Sequence, residues 1–262
     1  MDSTLLKGLT VLERVAASDE PRGVTELAEE LPLTKSNAHR ILKTLEAAGY
    51  LTRDQATRRY KLTLKLWELG LRVVSRMDIR VQAAAWMKEL AAATRETVHL
   101  SVLDGHEVIY IDKVDSSEPI QAYSQVGGRA PAHCVATGKA LLAWAPDSLI
   151  NTLTDRLERF SEHTITDPAQ FHAELERIRK QGYALNLGEW RDSVWGVAAV
   201  IRDARGDVAG AIGISGPSYR LEQLGVEHYT GPVMQAAADI SARLGYREHL
   251  VPRSVAARGQ GG

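Results

Sequence analysis

Residues 34–49 form an amphipathic segment whose two faces differ sharply in chemistry. Apolar residues recur at helical spacing and predict a buried stripe of Ala38, Ile41, Leu42 and Leu45. Thr34 can begin this helix by accepting a hydrogen bond from the backbone N–H of Ser36 or Asn37, and Gly49 can close it. The opposite face combines short hydrogen-bonding side chains with an arginine one turn later. Such a face is suited to bind base edges in the major groove of DNA.

Two shorter helices and a basic hairpin are predicted around this segment. Helical spacing predicts a first helix over residues 3–17 and a second that Thr25 caps. After the third helix, two short strands enclose a polar turn, and the second strand begins with Arg58 and Arg59. Three short helices and a basic hairpin within about 65 residues are typical of a winged helix-turn-helix.

The charge distribution favours the same function. The whole chain has a net charge of −1, but residues 34–65 carry eight basic residues against two acidic ones. A local basic patch in a neutral chain indicates a phosphate-binding face, although an ordinary solvated surface is the alternative. The predicted DNA-binding residues are Thr25, Lys35, Ser36, Asn37, Arg40, Lys43, Thr44, Arg58 and Arg59.

Several collinear motifs resemble the IclR family of bacterial transcriptional regulators. They are residues 24–28 (VTELA), 34–42 (TKSNAHRIL), 45–51 (LEAAGYL), 60–62 (YKL), 96–100 (ETVHL), 130–140 (APAHCVATGKA), 177–183 (RIRKQGY) and 214–217 (ISGP). The resemblance covers nearly the whole chain. It implies a DNA-binding regulator, with dimer contacts through a helical linker and a GAF-like effector-binding domain.

The predicted domains are a winged helix-turn-helix (1–63), a helical linker for dimerisation (64–94), an α+β effector-binding domain (95–249) and a disordered tail (250–262). Residues 64–74 are too apolar for one helix face, which favours burial against a second subunit. Burial within one domain is the alternative. A dimer, or a dimer of dimers, predicts a roughly palindromic double-stranded operator.

The second domain is predicted to be an antiparallel sheet with helices packed around it. The period-two segments that predict strands are 98–103, 107–114, 119–125, 183–189, 194–203 and 208–215. The helices are predicted at 137–145, 146–154, 168–180 and 226–244.

The family resemblance implies an effector cavity around the start of the helix at Thr137. Its predicted lining is Ala122, Ala130, Ala136, Thr137, Asn186, Gly196, Gly213 and Ser215. Backbone donors at the helix start favour a carboxylate. The many Ala and Gly residues predict room for a bulky or aromatic organic acid, with Tyr123, Trp190 and Trp195 as an aromatic wall, unless these small residues serve only tight packing.

Two other functions remain open from the sequence. Cys134 beside His133 suggests a nucleophile of a small-molecule hydrolase, but adjacent residues on an extended segment point to opposite faces. The other alternative is a constitutive DNA-binding regulator with a degenerate sensor domain. The single cysteine, the short apolar stretches and the lack of metal-ligand spacing predict a cytoplasmic, non-enzymatic protein without membrane contact, cofactor or metal.

Overall fold

The computed structural model describes residues 3–74, 78–122 and 124–247. Backbone contacts divide the chain into two compact units, residues 1–76 and 77–262. The boundary between them lies within the segment 64–94 that the sequence predicts as a linker. The predicted disordered tail, 250–262, and Tyr123 lie outside the described residues.

The first unit consists of short helices around one small core, with a two-stranded hairpin at its edge. In chain order its elements are α1 (Ser3–Ala16), α2 (Val24–Glu30), α3 (Lys35–Ala47), β1 (Leu51–Arg53), β2 (Tyr60–Leu62) and α4 (Lys65–Val74). The core contains the apolar stripe of α3 together with Val11, Val15, Leu27 and Tyr60. The predicted winged helix-turn-helix fold is therefore confirmed.

Local hydrogen bonds explain where α3 begins and ends. The Thr34 side chain accepts a hydrogen bond from the backbone N–H of Asn37 at 3.2 Å, as predicted. Gly49, just beyond the helix, has a φ of +79°, a conformation that glycine adopts without steric cost. Thr25, by contrast, is not the cap of α2. Gly23 occupies that position, and its N–H donates to the Glu26 carboxylate at 3.2 Å.

The second unit has a six-stranded antiparallel sheet with helices on both faces. Its strands are β3 (Thr97–Asp104), β4 (Glu107–Val114), β5 (Arg129–Pro131), β6 (Ala184–Leu187), β7 (Val194–Arg202) and β8 (Val208–Pro217), and the order across the sheet is β5-β4-β3-β8-β7-β6. Its helices are α5 (Asp78–Thr94), α6 (Ala136–Leu142), α7 (Asp147–Thr154), α8 (Pro168–Gln181), α9 (Ser218–Leu224) and α10 (Glu227–Arg243). The predicted α+β class is confirmed.

Alternation along the strands sends side chains to two separate cores. One core lies between the sheet and helices α5 and α10, and includes Val98, Leu100 and Ile212. The other lies between the sheet and helices α6, α7 and α8, and includes Ala198 and Ala211. Because successive residues face opposite sides, His99 and Ser215 lie on the α6 side of the sheet.

One predicted strand is wrong. Residues 119–122 and 124–125 form no strand, and the short β5 pairs with β4 at that edge instead. The N–H of Tyr110 donates to Gly128 O at 3.0 Å, and the N–H of Gly127 donates to Tyr110 O at 2.7 Å. Gly127 and Gly128 thus lie beside β4, just before β5. Helix α9 was not predicted.

Candidate functional site

The exposed face of α3 carries the residues predicted to bind DNA. Lys35, Ser36, Arg40 and Thr44 are exposed, and Asn37 is half-buried at the first turn. Among the described residues, Arg40 forms no ion pair. Lys43 is also exposed, but its ammonium pairs with Glu46 at 3.1 Å. Arg40 therefore has the free guanidinium that a bidentate contact to guanine requires.

The wing is a tight hairpin with a polar tip. Leu51 pairs with Leu62, and Arg53 pairs with Tyr60. The Asp54 carboxylate closes the tip by accepting the N–H of Thr57 at 2.7 Å. This hydrogen bond comes first among the causes that hold the pKa of Asp54 below its ordinary value. Arg58, at the tip, is exposed.

Arg59 differs from Arg58 because its side chain already forms a hydrogen bond and an ion pair within the protein. Its guanidinium donates to Pro21 O at 2.8 Å and pairs with Glu26 at 2.5 Å. Arg22 pairs with the same glutamate at 3.3 Å, and the backbones of Arg22 and Tyr60 exchange two hydrogen bonds of 2.8 Å. Arg59 thus joins the base of the wing to the turn before α2, a structural task that the sequence did not suggest.

A small cavity in the second unit lies where α6 begins, against strands β3, β7 and β8. Six of the eight predicted effector residues line it: Ala122, Ala136, Thr137, Asn186, Gly196 and Ser215. These residues come from five separate parts of the chain.

The other two predicted residues, Ala130 and Gly213, lie nearby but do not line the cavity. Ala130 is buried in the core beside α6 and pairs with Val108. A Cβ placed on Gly213 would lie 2.7 Å from Ala198 Cβ and 3.0 Å from Thr137 Cγ2. Gly213 therefore lets α6 approach the sheet closely, and a larger side chain there would disturb the sheet before it could fill the cavity.

Several polar and aromatic residues that line the cavity are not among those predicted from the sequence. They include His99, Tyr110, Ser124 and Arg191. The Nε2 of His99 lies 2.7 Å from Ser215 Oγ, its Nδ1 lies 3.4 Å from Ser124 Oγ, and its ring is 4.8 Å from that of Tyr110. Burial, with a contribution from the nearby Lys113, lowers the pKa of His99 to about 4. A neutral imidazole therefore links two hydroxyl groups at the cavity wall.

A loop of residues 188–193, which we call the cap loop, contributes Trp190 and Arg191 to the cavity. The Asn186 side chain holds both ends of this loop. Its Oδ1 accepts the N–H groups of Gly188 at 3.2 Å and Glu189 at 2.9 Å, and its Nδ2 donates to Val194 O at 3.3 Å. Both polar ends of the Asn186 amide are thus used to close the loop.

The cavity is smaller than the sequence predicts. Its volume is about 40 Å³, whereas an apolar cavity that binds benzene measures about 150 Å³ in one engineered protein. His99, Tyr110 and Trp190 line the cavity together with the small residues. Trp195 does not belong to the lining, because it lies one residue from Gly196 and packs against the core on the opposite face of the sheet. The predicted roominess is therefore wrong for this conformation.

Sequence models of two domains match the chain, and together they cover most of it. The IclR helix-turn-helix domain matches residues 4–55, and the bacterial transcriptional regulator IclR C-terminal domain matches residues 71–242. The chain belongs to the IclR family. It is therefore a DNA-binding transcriptional regulator with a helix-turn-helix.

Characterised IclR-family relatives match along nearly the whole length. The chain is 33% identical over 249 residues to the HTH-type transcriptional regulator KdgR of Escherichia coli, covering 94% of each protein. It is 33% identical over 225 residues to XynR of the same organism, covering 85% of this chain and 89% of XynR. A third relative is the glycerol operon regulatory protein of Streptomyces coelicolor, at 31% identity over 83% of this chain and 86% of that protein.

Solved IclR structures have the same architecture. The Thermotoga maritima IclR has a TM-score of 0.76 and 32% identity, covering 94% of this chain and all of that one. An IclR homologue from Microbacterium hydrocarbonoxydans, complexed with 4-hydroxybenzoate, has a TM-score of 0.81 and 27% identity, covering 92% of this chain and 99% of that one.

Cys134 has none of the features of a catalytic nucleophile. It is buried, and burial raises the pKa of its thiol to about 12, so the thiol stays protonated at neutral pH. The His133 ring contacts other residues: its Nε2 lies 3.0 Å from Glu158 O, and its ring packs near those of Phe160 and Phe171. Relatives of this IclR-family chain are transcriptional regulators, which agrees with a non-enzymatic function.

No described helix has the length and apolar composition needed to cross a bilayer. Within the same residues, no three His, Cys, Asp or Glu side chains are grouped so that they could hold a metal ion.

Proposed function

We propose that this IclR-family regulator represses a catabolic operon and responds to an organic acid, with a single aromatic ring as the favoured apolar part. The observation that carries this proposal is the combination of charge and apolar surface at the cavity. Arg191 lines it and, among the described residues, forms no ion pair, while Tyr110 and Trp190 supply aromatic surface. Residues 95–249 are proposed as the effector-binding domain and residues 1–63 as the DNA-binding domain.

Arg191 is the proposed anchor for the carboxylate. Its guanidinium lies 4.5 Å from the centre of the Trp190 ring, which holds it beside the cavity. The hydroxyls of Thr137 and Ser215 complete a polar end that can donate hydrogen bonds to an anion. A guanidinium can bind a carboxylate with two parallel hydrogen bonds, which makes it a specific partner for an acid.

The apolar part of the effector needs more room than the cavity offers. Trp190 is half-buried on the cap loop, so its displacement would enlarge the cavity without disturbing the sheet. The 4-hydroxybenzoate bound by the Microbacterium hydrocarbonoxydans homologue supports an acid of one aromatic ring. Ligand binding would thus be coupled to movement of the cap loop.

Calorimetry with a panel of acids tests the effector class. We expect benzoate or 4-hydroxybenzoate to bind more tightly than glyoxylate or pyruvate, and benzamide, which lacks the charge, to bind weakly. Arg191→Met should lose this preference for the acid over the amide. The matched control is Arg205→Met, since Arg205 is an exposed arginine in the turn between β7 and β8. If no acid binds, the constitutive regulator with a degenerate sensor domain becomes the better hypothesis.

Arg40 is proposed to bind base edges. We expect Arg40→Ala to lose operator discrimination by about 1–3 kcal/mol, the value of one bidentate base contact. The matched variant is Arg58→Ala on the wing, which should weaken binding to operator and random DNA alike and reduce the dependence of affinity on salt. Gel-shift titrations at two salt concentrations measure both effects. An unchanged ratio of operator to random DNA affinity in Arg40→Ala would contradict the base-reading role.

The remaining predicted DNA contacts are proposed with roles that follow from their positions. Lys35, Ser36, Asn37, Lys43 and Thr44 lie on α3, and Thr25 lies on α2, where they can bind phosphates or base edges. Arg59 remains on this list as a phosphate contact, although its pairing with Glu26 leaves it less free than Arg58.

Dimerisation is proposed to bury the exposed apolar residues at α4. Leu64 and Trp67 expose 76% and 66% of their surface, and contact with a second subunit would remove this apolar area from water. We expect sedimentation to show at least a dimer at micromolar concentration, and Trp67→Glu to shift the protein towards the monomer and lower operator affinity. Tyr219→Glu is the control, because Tyr219 is exposed in the second unit. A wild-type monomer with full operator affinity would refute this proposal.

A further inference from the structure

The cap loop rests on a group of buried charges that the proposed function does not use. Lys139, on α6, is 1% exposed, and its ammonium lies 3.0 Å from Glu174 Oε1 and 2.6 Å from Glu189 Oε1. Glu189 belongs to the cap loop and directly precedes Trp190. The second oxygen of Glu189, Oε2, has no hydrogen-bond partner among the described residues.

The charges in this group are balanced, but its two carboxylates are not equally stabilised. Arg177 also pairs with Glu174 at 2.5 Å, so two cations face two carboxylates. Burial alone would raise the pKa of Glu174, but Lys139 and Arg177 more than offset it and hold the pKa below its ordinary value. Burial of Glu189 is offset only in part by Lys139, and its pKa is raised. Of the two carboxylates, that of Glu189 is therefore the less stabilised by the neighbouring cations.

Other contacts hold the backbone of the cap loop on both sides of Trp190, including the hydrogen bond that the N–H of Val194 donates to Arg191 O at 2.9 Å. The hydroxyl of Ser161 donates to Gly188 O at 2.7 Å, and that of Thr164 donates to Glu189 O at 2.6 Å. Together with Asn186, these contacts fix the start of the loop. Among the described residues, Glu189 makes the only ion pair between a side chain of this loop and α6, and it directly precedes Trp190, which lines the cavity.

We infer that Glu189, through its buried ion pair with Lys139, is the positioning residue that holds Trp190 in the cavity and sets the size of acid that the sensor admits. The inference rests on the proposed function for the acid, but the position of Trp190 can be tested without any ligand. Lys139 lies one turn after Ala136, which lines the cavity, so the pair joins the cap loop to the wall that Trp190 faces.

Acrylamide quenching of Trp190 fluorescence in the full chain tests the inference directly. The chain has five tryptophans, so each variant is measured beside its Trp190→Phe partner and the difference is assigned to Trp190. We expect Glu189→Gln to make Trp190 more accessible to acrylamide. Glu176→Gln should have no effect, since Glu176 is an exposed glutamate on α8 that pairs with Arg179.

A double variant separates positioning from stability. Lys139→Met alone leaves two buried carboxylates with one cation, and its loss of stability could expose Trp190 indirectly. Adding Glu189→Gln leaves the Glu174–Arg177 pair balanced, so the melting temperature should recover. Trp190 should nevertheless stay accessible, because methionine and glutamine do not form an ion pair. Wild-type quenching in the double variant would overturn the inference.

Acid selectivity provides the functional measurement. We expect the ratio of the dissociation constants for benzoate and 2-naphthoate to shift towards the larger acid in Glu189→Gln, by about tenfold. If the wild-type protein binds neither acid, the proposed effector class fails, while the quenching result still tests the loop. If both acids bind and neither quenching nor selectivity changes, the inference fails and the proposed function stands.

Discussion

Lys139→Met should destabilise the second unit by about 3–5 kcal/mol, the usual cost of removing one partner from a buried ion pair. The ammonium of Lys139 is the only charge that the described structure places within salt-bridge distance of Glu189. Without it, Glu189 is either a buried, unpaired carboxylate or must take up a proton. The free energy of unfolding, measured by urea titration at pH 7 and again at pH 5, reports both outcomes.

The direction of the pH dependence distinguishes this explanation from simple loss of packing. A glutamate whose pKa is raised in the folded protein favours the protonated fold, so lower pH should return part of the stability that Lys139→Met loses. Lys180→Met is the matched control, because Lys180 is exposed on α8 and should change stability by less than about 0.5 kcal/mol. An equal loss at both pH values would contradict the charge-based account.

The elements that could be predicted from the sequence are those set by local pattern. The apolar spacing of α3, the cap at Thr34 and the glycine at position 49 each act within a few residues, and each is found where it was predicted. The predicted strand at 119–125 is wrong because local pattern does not decide which segment pairs with a neighbouring strand. Its composition is compatible with a strand, but two glycines further along already pair with β4 at the sheet edge.

The candidate site depends on contacts between distant parts of the chain, which local patterns do not contain. Lys139 and Glu189 are fifty residues apart, and nothing in either segment indicates that they meet. His99 carried a weak signal, since a histidine among the apolar residues of a predicted strand has to find a polar partner. Its partner, Ser215, comes from a strand more than one hundred residues later.

The residues named from the family resemblance lie together around one cavity, but the resemblance did not predict how small that cavity is. Six of the eight residues named on that basis line it, but their small size predicted an open space. Larger side chains from neighbouring elements also line it, among them His99 and Trp190. The small residues at Gly196 and Gly213 serve close backbone approach, since a Cβ on either would lie 2.7 Å from a backbone oxygen of a neighbouring strand.

The second large effect concerns His99, whose burial should make the protein sensitive to acid. Its pKa is lowered from 6.5 to about 4, first by burial and second by Lys113, with Asp115 acting in the opposite direction. Because the folded protein favours the neutral ring, the contribution of the neutral ring to the free energy of unfolding is complete above pH 6.5. It is lost as the pH falls towards 4. The full loss is about 3 kcal/mol, taking 1.36 kcal/mol for each unit of pKa.

His99→Gln removes this titration while retaining a polar side chain that can bond to Ser215. We expect the free energy of unfolding of the variant to fall less steeply between pH 6.5 and 4.5 than that of the wild type. His172→Gln is the matched control, because His172 is exposed on α8 and should leave the slope unchanged. The groups facing His99 are Lys113 and Tyr110 from β4, Asp115 just after β4, Ser124, and Ser215 from β8. A wild-type slope in His99→Gln would therefore show that the acid sensitivity arises elsewhere, and the neutral imidazole at the cavity wall would lose its main support.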